Sequence, residues 1–195
     1  MKKVEKMANA INLPDYLNQQ GFDPDLIQAL TPLFRVRDYQ KGEILLPQGE
    51  NTKVVCLILQ GVVRGFYLDA AGADITKCFS QTGDWCCIYN LLDVGPSEYG
   101  IETLADCQVA QISVPVLRQA FDDAPVLRDL YEKLFRQAFI ISDEKGLAFQ
   151  RLPAKERYLE FVANYPDLAG QIRQEYIASY IGVTPSSLSR IKREL

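Results

Sequence analysis

The chemistry open to this 195-residue chain is narrowed first by the absence of histidine. A Ser–His triad, a Cys–His dyad and imidazole acid–base catalysis are excluded, and so are the commonest zinc sites. The five cysteines, Cys56, Cys78, Cys86, Cys87 and Cys107, contain no C-x-x-C pair. An odd, irregular set is not the framework of a disulfide-stapled secreted domain. Cys86 and Cys87 invite a redox reading, but neighbouring cysteines bridge one another only under strain, and two small buried side chains are the simpler reading. No metal site, no cofactor and no enzymatic activity are expected. Cupin-like rolls that catalyse with metals need a His-rich ligand set that this chain cannot supply.

The residues that do carry a chemical pattern lie near Leu195. Gln174 to Ile181 and Pro185 to Leu195 read as two short helices around a turn led by Gly182. Ala178, Ile181, Val183, Leu188 and Ile191 fall where a helix-turn-helix needs apolar contacts, and Gly182 allows the left-handed turn. Thr184 is a good N-cap and Pro185 suits the first helical position. The outward face then offers Ser186, Ser187, Ser189, Arg190, Lys192 and Arg193. Short hydroxyls permit a close approach to DNA, and Arg190 is long enough to grip a guanine edge with two hydrogen bonds. Thr184, Ser187 and Arg193, with the positive helix N-terminus, suit phosphates, as do Arg173 and Gln174 just before the motif. Leu195 closes the reading helix with no wing hairpin after it, so modest DNA affinity and a strong salt dependence are expected.

Those residues must be positioned by the rest of the chain. Short β-rich runs fill the stretch from Phe34 to Ser113: Phe34–Tyr39, Ile44–Leu46, Val54–Leu59, Val62–Leu68, Ile75–Ser80, Tyr99–Leu104 and Val109–Ser113. Turn residues such as Lys41-Gly42, Gln60-Gly61 and Ala71-Gly72 separate them, which predicts an antiparallel roll rather than a parallel α/β sheet. Short helices precede the roll, with Asp15 or Asp23 as caps. Val114–Asp122 forms a short helix, and Pro125 opens a long one reaching about Gln150. A 25-residue helix is about 38 Å long, more than one face of a small roll can cover. Its apolar positions Leu127, Leu130, Leu134, Ala138 and Ile141 therefore predict a seam with a second copy. A break at Leu152-Pro153 precedes a further helix, Ala154–Asn164. The fold class is α+β: an N-terminal antiparallel β-roll of jelly-roll type (residues 1–124), a dimerisation helix (125–150) and a C-terminal helical, winged-helix-like helix-turn-helix domain (151–195).

The order β-roll, long helix, helix-turn-helix resembles the Crp/Fnr family of bacterial transcription regulators. The resemblance rests on Tyr176 to Pro185 followed by Leu188-Ser189-Arg190-Ile191, and in the roll on Lys41 to Leu45, Gln48-Gly49-Glu50 and Leu57 to Val63. It implies a cyclic-nucleotide-binding-like sensor and a homodimer whose paired helices read a near-palindromic DNA duplex, with RNA polymerase as a further partner. It also implies an effector pocket at Gly83, Asp84, Trp85, Cys86, Ser97, Glu98 and Tyr99, faced by Ile140 and Ile141 of the long helix. Nucleotide-binding members grip the cyclic phosphate with an Arg-Ser pair; here Ser97 and Glu98 stand in those positions, and no arginine lies between Lys77 and Arg118. A carboxylate would repel a phosphate, so a small effector other than cAMP is expected. Iron–sulfur members carry an N-terminal cysteine cluster, whereas the first cysteine here is Cys56.

Composition agrees with a soluble, cytoplasmic protein. Hydrophobic residues are 48% and charged residues 24%, and no apolar run approaches the roughly 20 residues needed to cross a bilayer. Met1–Lys6 holds three lysines, but no apolar stretch follows, so a secretory signal is not expected. Residues 1–125 carry 10 Lys/Arg against 16 Asp/Glu, and residues 171–195 carry 4 against 2. A polyanion would meet the C-terminal end. The alternative reading is an effector-binding module that acts through protein contacts, its DNA reading weakened or lost; replacement of Arg190 separates the two.

Overall fold

The computed structural model describes residues 10–92 and 95–195; of Pro125, Val126 and Leu130 it describes the backbone alone. The lysine-rich Met1–Lys6 lies outside these residues. The chain divides into two compact units, residues 1–65 with 79–128, and residues 66–78 with 129–195.

The first unit opens with α1 (Leu13–Gln19) and α2 (Pro24–Leu30). Asp23 caps α2, accepting from Leu26 N at 2.9 Å. Asp15 does not cap α1: Asn12 does, and Asp15 sits in the first turn beside the positive helix end. Eight strands follow: β1 (Arg35–Tyr39), β2 (Ile44–Leu46), β3 (Val54–Gln60), β4 (Val62–Leu68), β5 (Asp74–Gln81), β6 (Trp85–Cys86), β7 (Gly100–Thr103) and β8 (Cys107–Ser113). They form two four-stranded sheets, ordered β1-β8-β3-β6 and β2-β7-β4-β5, so neighbours in space are mostly distant in sequence, as in a roll.

Strand β3 is central to its sheet, and Val55 to Leu59 are buried on both of its faces. Its pairing with β8 runs from Val54 opposite Ser113 to Gln60 opposite Gln108, with an irregularity between Ile58 and Gln60. The inner core collects Leu45, Leu46, Ile58, Val63, Ile101 and Val109 together with four of the five cysteines. The β3–β4 turn depends on Gly61: its φ is +102°, and a Cβ there would lie 2.5 Å from Cys107 Sγ and 2.8 Å from Asp106 O. Spacing alone did not mark β6, a two-residue strand too short to show any periodicity.

Helix α3 (Val114–Asp123) closes the roll, and α4 (Pro125–Arg151) begins in the first unit and runs on through the second. The second unit continues with α5 (Ala154–Asn164), α6 (Gln174–Tyr180) and α7 (Pro185–Arg193). Phe161, 1% exposed, is its aromatic centre, with the rings of Tyr165 and Tyr180 5.5 and 5.7 Å away. Residues 151–195 are helices and turns, with no strand among them.

Candidate nucleic-acid interface

Helices α6 and α7 pack through a shared buried seam. Ile177, Ala178, Ile181 and Leu188 are at most 1% exposed, and Ile191 is buried beside them. Between the helices Gly182 has φ +71°, and a Cβ there would lie 2.4 Å from the Phe149 ring of α4. Glycine is thus required twice, by the backbone and by the ring above it. The Thr184 hydroxyl accepts from Ser187 N at 3.2 Å and shares short contacts with the Ser186 and Ser187 hydroxyls. This satisfies one of the orphan amides at the start of α7 and leaves the first turn aimed outward.

The face so presented is polar and basic. Pro185, Ser186, Ser189, Arg190, Lys192 and Arg193 are exposed, and Ser187 is half-buried. Pro185, Ser189, Lys192, Arg193 and Gln174 line one shallow depression, with Lys192 Nζ donating to Gln174 Oε1 at 3.0 Å. Arg173 is exposed, lies 5.2 Å from the Tyr176 ring and pairs with Glu175 at 3.6 Å. Such exposed pairs are weak in water and exchange readily for a phosphate.

Two supports for this interface escaped sequence reasoning. Arg157 of α5 donates to Ile181 O at 2.9 Å and to Leu152 O at 2.7 Å, and stacks 4.8 Å from Phe149. It satisfies a carbonyl at the end of α6 while bracing the turn. Strand β5, within the same unit, holds both helices: Thr76 N donates to Ser179 Oγ of α6 at 2.7 Å, and Lys145 Nζ of α4 donates to Lys77 O at 2.6 Å. The Lys145 ammonium lies 4.0 Å over the Tyr180 ring. Burial lowers its pKa to about 8, helped by Lys77 and opposed by Cys78. Neither contact has a local sequence signature.

Along α4 the expected seam is altered. Leu127 is 1% exposed and packed within its own unit, so it is not available to a second copy. The Leu130 side chain lies outside the described residues. Leu134 is half-buried, while Ala138 and Ile141 are exposed. Among the described side chains of the helix, the most exposed large apolar ones are Phe139 at 72% and Ile141 at 60%, followed by Ile140, Phe149 and Leu147. Gly146 lies among them, where an added Cβ would meet nothing within 4 Å beyond its own helix, in a depression lined also by Phe139, Ser142, Asp143, Leu147 and Gln150.

The expected effector-pocket residues are placed as follows. Gly83 turns the chain with φ +93°, and the Asp84 carboxylate accepts from Gln81 N at 2.8 Å, which closes that turn. The Trp85 indole donates to Tyr16 Oη at 2.9 Å and meets Phe34 edge-on. Cys86 is buried in the inner core, against which the half-buried Tyr99 packs. Ser97 is 2% exposed, and its hydroxyl donates to Tyr99 O at 2.7 Å, so it serves its own loop. Glu98 is exposed, and Ile140 and Ile141 are exposed on α4 of the second unit. The buried cation of the roll lies outside the stretch where the family's arginine was sought: Arg64 of β4, 1% exposed, bonds Glu102 of β7 at 2.7 Å. The lone charge inside the apolar run Val62 to Leu68 is the signal that could have found it.

A cyclic nucleotide-binding domain model matches residues 36–124. The electron transport regulator A of Shewanella oneidensis is 21% identical over 192 residues, spanning 92% of this chain and 74% of that relative. Among solved structures, FixK2 of Bradyrhizobium japonicum superposes with a TM-score of 0.73 at 21% identity, covering 83% of this chain and 84% of that one. A chain from Eubacterium rectale described as a transcriptional regulator of the crp/fnr family gives a TM-score of 0.74 at 16% identity, covering 92% and 87%.

Proposed function

We propose that this chain, whose fold resembles that of solved regulators of the Crp/Fnr type, is a DNA-binding regulator acting as a homodimer in the bacterial cytoplasm. The observation that carries the reading is the α6–α7 pair: a buried seam, a glycine turn fixed against Phe149, and an outward face of Ser186, Ser189, Arg190, Lys192 and Arg193. Arg190 reads a base edge, while Thr184, Pro185, Ser187 and Arg193 meet phosphates, with Arg173 and Gln174 at the flank. The relatives named as regulators support this use.

Pairing through α4 completes the reader. Uncovered Phe139, Ile140, Ile141 and Leu147, with Gly146 leaving room for a close approach, suit an apolar partner, and a second copy supplies the two-fold symmetry that successive major grooves require. Within the roll, the exposed Glu98 and the Glu102-bound Arg64 argue against a cyclic phosphate, so the effector is a small molecule or ion of other chemistry. The regulatory step is a change in how the two α4 helices pack, which needs an effector that binds one packing better than the other. RNA polymerase is the downstream partner of such a regulator, and no enzymatic step is required.

Fluorescence anisotropy on a labelled duplex carrying the preferred site tests the reading. Arg190→Ala removes one bidentate base contact from each copy and is expected to weaken binding by about 30-fold or more, the lower bound for two such contacts. Unchanged affinity would favour a module acting through protein contacts instead.

A further inference from the structure

Three cysteine sulfurs that the sequence keeps apart are brought together inside the roll. Cys56 of β3 lies directly opposite Cys86 of β6. With Cys87 they form a buried group whose Sγ atoms all lie within 4.8 Å of one another. Adjacent residues of an extended strand point to opposite faces. Cys86 and Cys87 converge because Cys87 adopts φ +59°, a left-handed conformation unfavourable for a residue with a side chain. A non-glycine residue held in this conformation so that its thiol joins two others is what a ligand set requires. Plain core packing does not require it.

We propose that Cys56, Cys86 and Cys87 form a binding site for one trivalent, thiophilic ion of the arsenic(III) type, held by all three sulfurs. Trivalent arsenic keeps a lone pair and binds pyramidally, so sulfurs about 2.3 Å from it lie about 3.5 Å apart, and the observed group must contract by at most about 1.3 Å. Soft sulfur ligands select soft ions. Among the described residues no fourth cysteine or carboxylate joins the group, which leaves a tetrahedral zinc ion without its usual closure. Charge decides among the three-coordinate ions. Three thiolates neutralise a trivalent ion, whereas monovalent copper would leave two negative charges in an apolar core.

The Gln111 side-chain amide also reaches this group, with Nε2 donating to the Cys56 sulfur at 3.7 Å. With arsenous acid, three S–H and three As–O bonds break, three As–S bonds form and three waters leave. The arsenic stays trivalent, so no oxidant or reductant is consumed.

The test uses the full, reduced chain and arsenite, read by intact-mass spectrometry under native conditions and by near-ultraviolet absorption of the As–S bonds. No DNA is present, so the outcome is independent of the function proposed above. One arsenic per chain is expected, with a mass gain of one arsenic less three hydrogens. Cys56→Ser and Cys87→Gly should lose the adduct, while Cys78→Ser and Cys107→Ser should keep it. Cys87→Gly suits the local backbone and so removes the third sulfur without disturbing the turn. An unmodified mass at one equivalent of arsenite would overturn the proposal, as would loss of only two hydrogens. So would an adduct that persists in Cys87→Gly, or displacement of the arsenic by equimolar zinc or monovalent copper.

Discussion

Replacing Gly182 by alanine would put a Cβ 2.4 Å from the Phe149 ring at a backbone φ of +71°. The variant is expected to lose about 1–3 kcal/mol in a denaturant titration, the usual cost of overpacking. Removing the Glu102 carboxylate, as in Glu102→Ala, takes one charged hydrogen bond from the buried Arg64, and a loss of about 1.5–3 kcal/mol is expected in the same experiment. Lys145 gives a pH signature. Its folded pKa of about 8 lies below its unfolded value near 10.4. Between these values the unfolded chain holds more protons, so stability rises with pH across that window, and below pH 8 the cost of burying the ammonium is present in full. The stability of Lys145→Met relative to the parent should therefore fall as pH is raised from 8 to 10; a constant difference would contradict the assignment. Gly182, Gly61 and Thr184 were legible in the sequence because each serves its own turn. Arg64 and the three-sulfur group were not, since their partners lie tens of residues away, and Arg157 was not, since its bonds go to backbone carbonyls that leave no sequence pattern.

At the scale of elements, the strands read from turn residues match the structure to within one or two residues, from Ile44–Leu46 to Val62–Leu68. Alternation and glycine turns are local signals, and they survive folding here because most strands bury one face; β3, buried on both, was legible from its apolar run and flanking turns. The exceptions are informative. Strand β6 exists only by pairing with β3, and α1 is capped by Asn12 because a cap must precede the first turn, whereas Asp15 lies within it. Helix α4 has the expected extent, but its uncovered face is centred on Phe139 and Ile141, with Leu127 turned into its own unit. Heptad arithmetic could not show which residues the roll would claim first. The double substitution Phe139→Glu with Ile141→Glu is expected to give a monomer in light scattering at concentrations where the parent is a dimer, with circular dichroism unchanged. A dimer of undiminished stability would place the seam elsewhere.

For the molecule as a whole, net charge is a poor guide: the chain is acidic at −4, yet the outward face of α7 carries Arg190, Lys192 and Arg193. Paired as a dimer, Arg173, Lys192 and Arg193 of the two copies engage about six phosphates, so the logarithm of affinity should fall with the logarithm of salt at a slope of about −5. That corresponds to about a thousandfold loss between 50 and 200 mM salt. Arg193→Ala, removing one phosphate contact from each copy, should flatten the slope by about 2 while leaving sequence preference intact. A slope near zero would mean that the basic face does not meet DNA.

The central claim is that two copies of this chain read DNA through α7, and selection of the purified protein against a pool of random duplexes tests it most directly. A two-fold symmetric consensus is predicted, its half-sites about one helical turn apart, and it should disappear from the pool selected by Arg190→Ala. An unenriched pool, or a consensus without symmetry that Arg190→Ala also selects, would contradict the account.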